Sequence, residues 1–388
     1  MQPVAQFHFL AHSGISFIGA ILLFAIYYNI RRRFSAQIGD EGSFLRVDKG
    51  LSYLGFALLA WVLSGAWGYT ASLFLIKHGI DFAFQIAFSF LNNIFFLLAL
   101  YYFDHAPEFI YRNKKSRTIL TVLVIIVAIL SVILPEDAIN IGQTLIQVNA
   151  VPDLIFSLFL SGILGYTLYR TFSHRRLQIV AVVSVVIIAA MFLSQLPQVV
   201  VDWNNNIESY LIKLISKTSL IALFLVLAAS WVIELANTPK PAEIRLHFTD
   251  WSRIVLSIPS KEIEAVEIDF GSKTTQFKNL LKFSIRRKFG QGDDQCVDVS
   301  SGGEIKSQAY VSRIPDNINE ILNLKADNKL DRKDLFTFLG EGKYRLRLLP
   351  ETIDIEESLL YEFLKMSENQ TYNTIVTKCN SGTKHHKG

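Results

Sequence analysis

Long apolar runs joined by short polar links divide the first two thirds of this chain, and that pattern constrains its fold more than any motif it carries. Runs of the length used by bilayer-crossing helices fall at residues 15–30, 51–76, 82–103, 119–134, 151–172, 179–201 and 211–232. The links between them are charged unequally. Arg31, Arg32, Arg33 and Arg46, then Arg112, Lys114, Lys115 and Arg117, then Arg170, Arg175 and Arg176 occupy alternate links, while the links at 77–81, 135–137 and 202–204 are poor in basic residues. Because basic links stay on the cytoplasmic side, the amino terminus is expected outside and the carboxyl terminus in the cytoplasm. The first residues lack the basic opening of a cleaved leader.

The last apolar run, 211–232, divides the chain. A polar turn with Asn204, Asn205, Asn206 and Glu208 precedes it, and the proline-bounded exit Asn237-Thr238-Pro239-Lys240-Pro241 follows. Beyond Pro241 the pattern changes to short alternating stretches and charged helices. Strands are expected at 243–248, 254–258, 265–270 and 296–300, and helices at 273–289, 316–324 (started by Pro315-Asp316), 331–338 and 356–366. A hairpin is expected through Gly340-Glu341-Gly342 into 343–349. The fold class is therefore a mainly α membrane protein, a seven-helix transmembrane bundle followed by a small cytoplasmic α+β domain. The domain boundaries are 1–236 for the bundle, 237–242 for a linker, 243–366 for the α+β domain and 367–388 for a disordered tail.

Composition agrees with this division. Of 388 residues, 51% are apolar, and a mean hydropathy of +0.32 places the chain among membrane proteins. A net charge of +4 supplies no field for nucleic acid. The 2 cysteines, Cys296 and Cys379, suit a reducing compartment and exclude a disulfide scaffold. No hydrolase elbow, Walker loop, zinc-spaced set or HExxH helix is present, so the chain is not expected to be an enzyme, and no cofactor or metal is expected.

Polar residues within the apolar runs are the candidate site. Gln85, Ser89 and Asn92 share one helical face, as do Asp153, Ser157 and Ser161, then Gln195, Gln198 and Asp202, then Lys213 and Lys217. At ~1.5 Å per residue Lys217 lies roughly 10 Å below the outer start of its run, where a charged group is expensive and marks function. A cavity open to the outside is expected from the convergence of Asn92, Gln195, Gln198, Asp202, Lys213 and Lys217, with an unidentified small ligand in it. The competing reading is interhelical hydrogen bonding, with the lysines snorkelling outward or pairing with Asp202 or Glu208.

Several resemblances follow from these residues. A lysine in the last helix, with Asn206-Ile207-Glu208-Ser209 through Lys217 and Pro197 in the preceding run, loosely resembles the last two helices of the rhodopsins, whose retinal attaches at such a lysine. The third run departs, with Asn92 and Asn93 where that family implies a counter-ion. Asp298-Val299-Ser300-Ser301-Gly302-Gly303 fits D-x-S-x-x-G and resembles half the signature of the PilZ domains, which bind cyclic di-GMP. The R-x-x-x-R half is represented only by Arg286-Arg287-Lys288, and a strand ending in a glycine turn is the alternative. Lys278, Lys282 and Arg286 form a basic stripe opposite Phe277, Leu281 and Ile285, as a solvated face, a contact for anionic lipid or a contact for nucleic acid. A winged-helix reading of 331–349 would favour the last.

The layout resembles the bacterial seven-transmembrane sensor receptors with a cytoplasmic output domain. This resemblance implies a receptor of the bacterial cytoplasmic (inner) membrane acting in signal transduction. Its partners would be the lipid bilayer, a small ligand and a cytoplasmic protein, with nucleic acid not expected and a homo-oligomer left open. The alternative is a transport or pore-forming protein gated by its cytoplasmic domain through a nucleotide messenger. That reading expects polar residues through the inner half of the bundle.

Overall fold

The computed structural model describes residues 2–38, 46–74, 76, 78–103, 105–111, 114–134, 138–141, 144–199, 207–325, 328–366 and 370–384. It divides into two compact units. The first comprises residues 1–33 and 46–232, the second 34–45 and 233–388. The division falls inside the last apolar helix, and the link that follows the first helix belongs to the C-terminal unit.

All but one of the apolar runs fold as helices of the expected length. In order come α1 (Gln2–Arg33), α2 (Ser35–Ile38), α3 (Val47–Phe74), α4 (His78–Leu100), α5 (Glu108–Tyr111), α6 (Lys114–Ile133), the strands β1 (Ala138–Ile141) and β2 (Thr144–Gln147), α7 (Val151–His174), α8 (Gln178–Leu193), α9 (Leu196–Val199) and α10 (Ile207–Asn237). Among the described residues 6 helices are long and apolar enough to cross a membrane. The expected run 179–201 is not among them. Its 16-residue helix α8 spans only ~24 Å against a hydrocarbon core of ~30 Å. It stops because the Ser194 and Gln195 amides close a last turn onto Ala190 and Phe192, and Pro197, in α9, has no N–H with which to continue the ladder. The β1–β2 hairpin, paired from Ala138 to Gln147, was not expected.

Close approach of α1 and α3 organises this unit. A Cβ on Gly65 would lie 3.0 Å from the Phe9 carbonyl and 3.0 Å from Ser13 Cβ, so glycine lets the two helices approach this closely without displacing a neighbour. Ser13 donates to the Val62 carbonyl at 3.1 Å beside it. Helix α10 joins through Ile221 against Gly19 and Phe224 against Phe96. Ile119, Ile129, Val132 and Ile133 on α6 and Ile179, Val182 and Val186 on α8 point outward uncovered. Apolar faces of that extent mark contact with lipid or with another protein.

In the C-terminal unit, β3 (Arg245–Phe248), β4 (Arg253–Ile258) and β5 (Ile263–Asp269) pair antiparallel. Helix α11 (Thr274–Phe289), β6 (Val297–Asp298), α12 (Gln308–Ile321), α13 (Arg332–Leu335), β7 (Phe336–Gly340), β8 (Lys343–Leu346), β9 (Ile353–Ile355), α14 (Glu357–Lys365) and α15 (Gln370–Lys384) follow. The sheets run β5-β4-β3-β9, with β9 parallel to β3, and β6-β8-β7. Phe277, Leu281 and Ile285 pack inward as expected, but Asn279, Leu280, Phe283, Ser284 and Arg286 are buried too. Helix α11 is therefore the centre of the core, and a free basic stripe through Arg286 is not formed.

Other expectations shift for identifiable reasons. The helix expected at 316–324 starts at Gln308, where Ser307 Oγ accepts the Ala309 amide at 3.1 Å as a cap, and Pro315 lies inside it. The helix expected at 331–338 ends at Leu335, since the buried Phe336 and Thr337 begin β7. The strand expected at 296–300 is reduced to β6, two residues paired with Tyr344 and Lys343. The tail expected to be disordered from Ser367 forms α15 over Gln370–Lys384, because Tyr372, Ile375 and Val376 bury there.

Candidate functional site

The expected polar faces form two separate groups. On one side Asp153, in the first turn of α7, accepts from Ser89 at 2.8 Å and Asn93 at 3.0 Å. One turn farther, Ser157 donates to Gln195 at 2.5 Å, at the break between α8 and α9. Gln85 turns away to donate to Asp81 at 2.8 Å, and Trp67 Nε1 donates to the same carboxylate at 2.9 Å. Asn92 is not the residue that meets α7. Its neighbour Asn93 lies four after Ser89 and takes that place, leaving Asn92 Oδ1 buried without a hydrogen bond among the described residues. Gln198 lies in α9, and Asp202, with its expected pairing to Lys217, lies outside the described residues.

On the other side Lys217 meets residues that the polar-face pattern did not single out. Its Nζ lies 3.1 Å from His12 Nε2 and 5.2 Å from the centre of the Trp61 ring. A hydrogen bond between two such nitrogens needs a lone pair on one of them, so in this arrangement the pair carries at most one positive charge. His12 is buried, its Nδ1 lies 3.4 Å from Ser16 Oγ, and its ring centre lies 6.0 Å from that of Trp61. One turn before it, His8 packs against Tyr210, ring centres 4.9 Å apart. His8 is only 8% exposed, and neither of its ring nitrogens has a hydrogen-bond partner among the described residues. Lys213 lies one turn from Lys217 on the same face of α10. Trp61 rests on Phe96, ring centres 6.0 Å apart, and Phe96 lies one turn beyond Asn92 and Asn93 on α4.

The two histidines carry a legible signal. His8 and His12 are four apart and share a helical face, and the expected first run simply began too late to include them. Trp61 and Tyr210 read as headgroup anchors from sequence, since ring contacts with histidine leave no pattern in the chain.

The C-terminal unit carries its own buried polar network. Arg286 donates to both Glu304 oxygens at 3.0 and 2.5 Å and to the Asp294 carbonyl at 3.0 Å. Tyr372 of α15 also donates to Glu304. Burial works against the Arg286 charge, yet the Glu304 carboxylate wins and holds the guanidinium above its ordinary range. Burial, followed by the nearby Glu304 charge, raises the Tyr372 phenol and keeps it a donor. Arg287 donates to the Leu348 carbonyl at 2.7 Å and to Gln295 at 2.5 Å. Both arginines of the partial nucleotide signature are therefore engaged internally. Its glycine, Gly303, closes a turn onto Ser300 with a 3.0 Å bond, the geometry of the strand-and-turn alternative.

Arg347, buried at 4% exposure, ties three backbone segments of this unit together. It donates to the carbonyls of Lys333 at 2.7 Å, Gln37 at 3.1 Å and Pro239 at 3.3 Å. Burial lowers its pKa to about 10, which still leaves it charged at neutral pH. Lys333 pairs with Glu234 beside it. The segment that follows α1 and the exit from α10 thus share one guanidinium. No protein family, curated protein or solved structure matches this chain, so its reading rests on this geometry.

Proposed function

We propose that the chain is an integral membrane sensor of the bacterial cytoplasmic membrane. In this reading a signal received by a helical bundle, with the amino terminus outside, changes how the cytoplasmic unit meets a protein partner. The observation that carries it is the connection of two buried arrangements. His12 and Lys217 join α1 to α10, and Arg347 joins the residues that directly follow α1 to those that end α10. A change in the first pair has a covalent path to the second contact through each helix. A ligand would act by binding one arrangement of these helices better than another. Counting α8 with α9 as a seventh, broken span restores the odd number of crossings that this orientation requires.

A protein partner is favoured over nucleic acid. The α13 helix, where a winged-helix reading would place its groove-reading element, has only 4 residues, too few to fill a major groove. The gated-pore alternative draws on the Ser89, Asp153, Ser157 and Gln195 group, and would appear as ion flux through reconstituted protein.

Reporter fusions test the orientation. Fusions after Arg33, Arg117, Arg176 and Lys240 should report cytoplasmic, and those after Asp81, Asn140 and Asn205 external. An external result at Arg117 would remove the proposal, because the Lys217 group would then lie in the cytoplasmic half.

A further inference from the structure

The His8, His12 and Lys217 group has two deficits that one kind of molecule would correct. The first is a missing partner. His8 is buried, and neither of its ring nitrogens has a hydrogen-bond partner among the described residues, where buried polar side chains are as a rule paired. The second is missing charge. Lys213 and Lys217 project from one face of α10, and among the described residues no carboxylate lies within ion-pair distance of either. The neighbours that are present either donate or are aromatic. Lys217 and His12 carry at most one positive charge between them, Ser16 is a hydroxyl, and Tyr210 and Trp61 offer ring faces.

An acceptor for the His8 N–H and a negative charge for the lysines are both properties of an oxyanion. A cation would meet two ammonium groups, and an apolar ligand would leave both nitrogens of His8 unpaired. The aromatic rings add a flat apolar wall, which suits an anion carried on a small apolar body.

We propose that His8, His12, Lys213 and Lys217 form a binding site for an oxyanion borne on a small organic acid or a lipid head group. This rests on the sensor reading and names the class of its ligand. The anion would accept hydrogen bonds from His8 and Lys217, and its body would lie against Tyr210.

Equilibrium dialysis of radiolabelled benzoate against the full chain in phosphatidylcholine nanodiscs tests this directly. Expected is one saturable site per chain, weakened at least tenfold by Lys217→Met and by His8→Phe. Lys217→Arg should retain part of the binding that Lys217→Met loses, because the positive charge is kept while the geometry changes. Ser131→Ala should change nothing, since that buried hydroxyl of α6 also lacks a partner but lies outside the group. Repeating the measurement with phosphatidylglycerol in the nanodisc separates the sources. Competition by this lipid identifies a head group as the natural anion, and undiminished benzoate binding identifies a soluble acid. Should chains that unfold cooperatively on heating show no saturable binding in either lipid and no competition, or bind benzoate equally in the Lys217→Met and His8→Phe variants, the site is refuted. Saturable binding that leaves hydrogen exchange in the C-terminal unit unchanged would retain the site and remove the sensor reading.

Discussion

Deleting α15 should destabilise the C-terminal unit severely, although its sequence reads as a polar tail. The helix buries Tyr372, Ile375 and Val376 to 3%, 4% and 7% exposure. Each buried side chain of this size contributes about 1.5–3 kcal/mol, and a compact unfolded chain already hides part of that area, so the sum is roughly 3–7 kcal/mol. Loss of the Tyr372 ring would also uncover the Arg286–Glu304 pair, where the guanidinium stacks 5.3 Å from the ring centre. A typical domain has only about 5–15 kcal/mol to lose. For a unit of this size the change corresponds to a fall of roughly 10–20 °C in Tm. The assay is thermal unfolding of the full chain in detergent with and without residues 367–388, followed by proteolysis within 243–366. A fall of less than about 3 °C would mean that α15 is not part of the folded core. Tyr372→Phe should reproduce only about 1–2 kcal/mol of the loss, because the ring stays and a single hydrogen bond goes.

Arg347→Lys should lower the stability of the C-terminal unit by about 2–4 kcal/mol in urea unfolding, since one ammonium cannot reach three carbonyls on three segments. Gly303→Ala should cost about 1–3 kcal/mol, because the new Cβ would lie 2.7 Å from the Asp298 carbonyl oxygen and the turn must shift. Asp334→Asn should gain stability as the pH rises. Burial raises the Asp334 carboxyl above the ordinary carboxylate value, so the protonated form contributes stability that is complete below that value and is lost as the pH climbs through the folded one. Variant and wild type should agree below about pH 4 and diverge in favour of the variant toward neutrality. Divergence in the opposite direction would mean that the capping bond from the Asp331 amide at 2.8 Å outweighs burial.

The helical runs were legible because bilayer crossing demands length and apolarity, both of which are local in sequence. The break at Ser194 and Gln195 was less visible, since apolar residues continue on both sides and only Pro197 marks the stop. In the C-terminal unit β3, β4, β5 and α11 showed themselves through alternation and helical spacing. What failed there was the meaning of charge. Arg286, Arg287 and Arg347 look solvated in the sequence, yet they satisfy carbonyls and a carboxylate brought from 8 to 310 residues away. The same holds in the bundle. Lys217 was conspicuous as a charge in an apolar helix, but its partner His12 is 205 residues distant, and spacing within one helix says nothing about the facing one.

Hydrogen exchange on the full chain in nanodiscs, comparing wild type with Lys217→Met, tests the central claim most directly. If α1 and α10 carry a change in the bundle to the C-terminal unit, exchange should alter at residues 34–38, 233–239 and 343–348, around Arg347. The interior of α11 should stay protected in both. Identical exchange at all three segments, in a variant that folds and inserts normally, would contradict the claim and leave Lys217 as a local packing feature of the bundle.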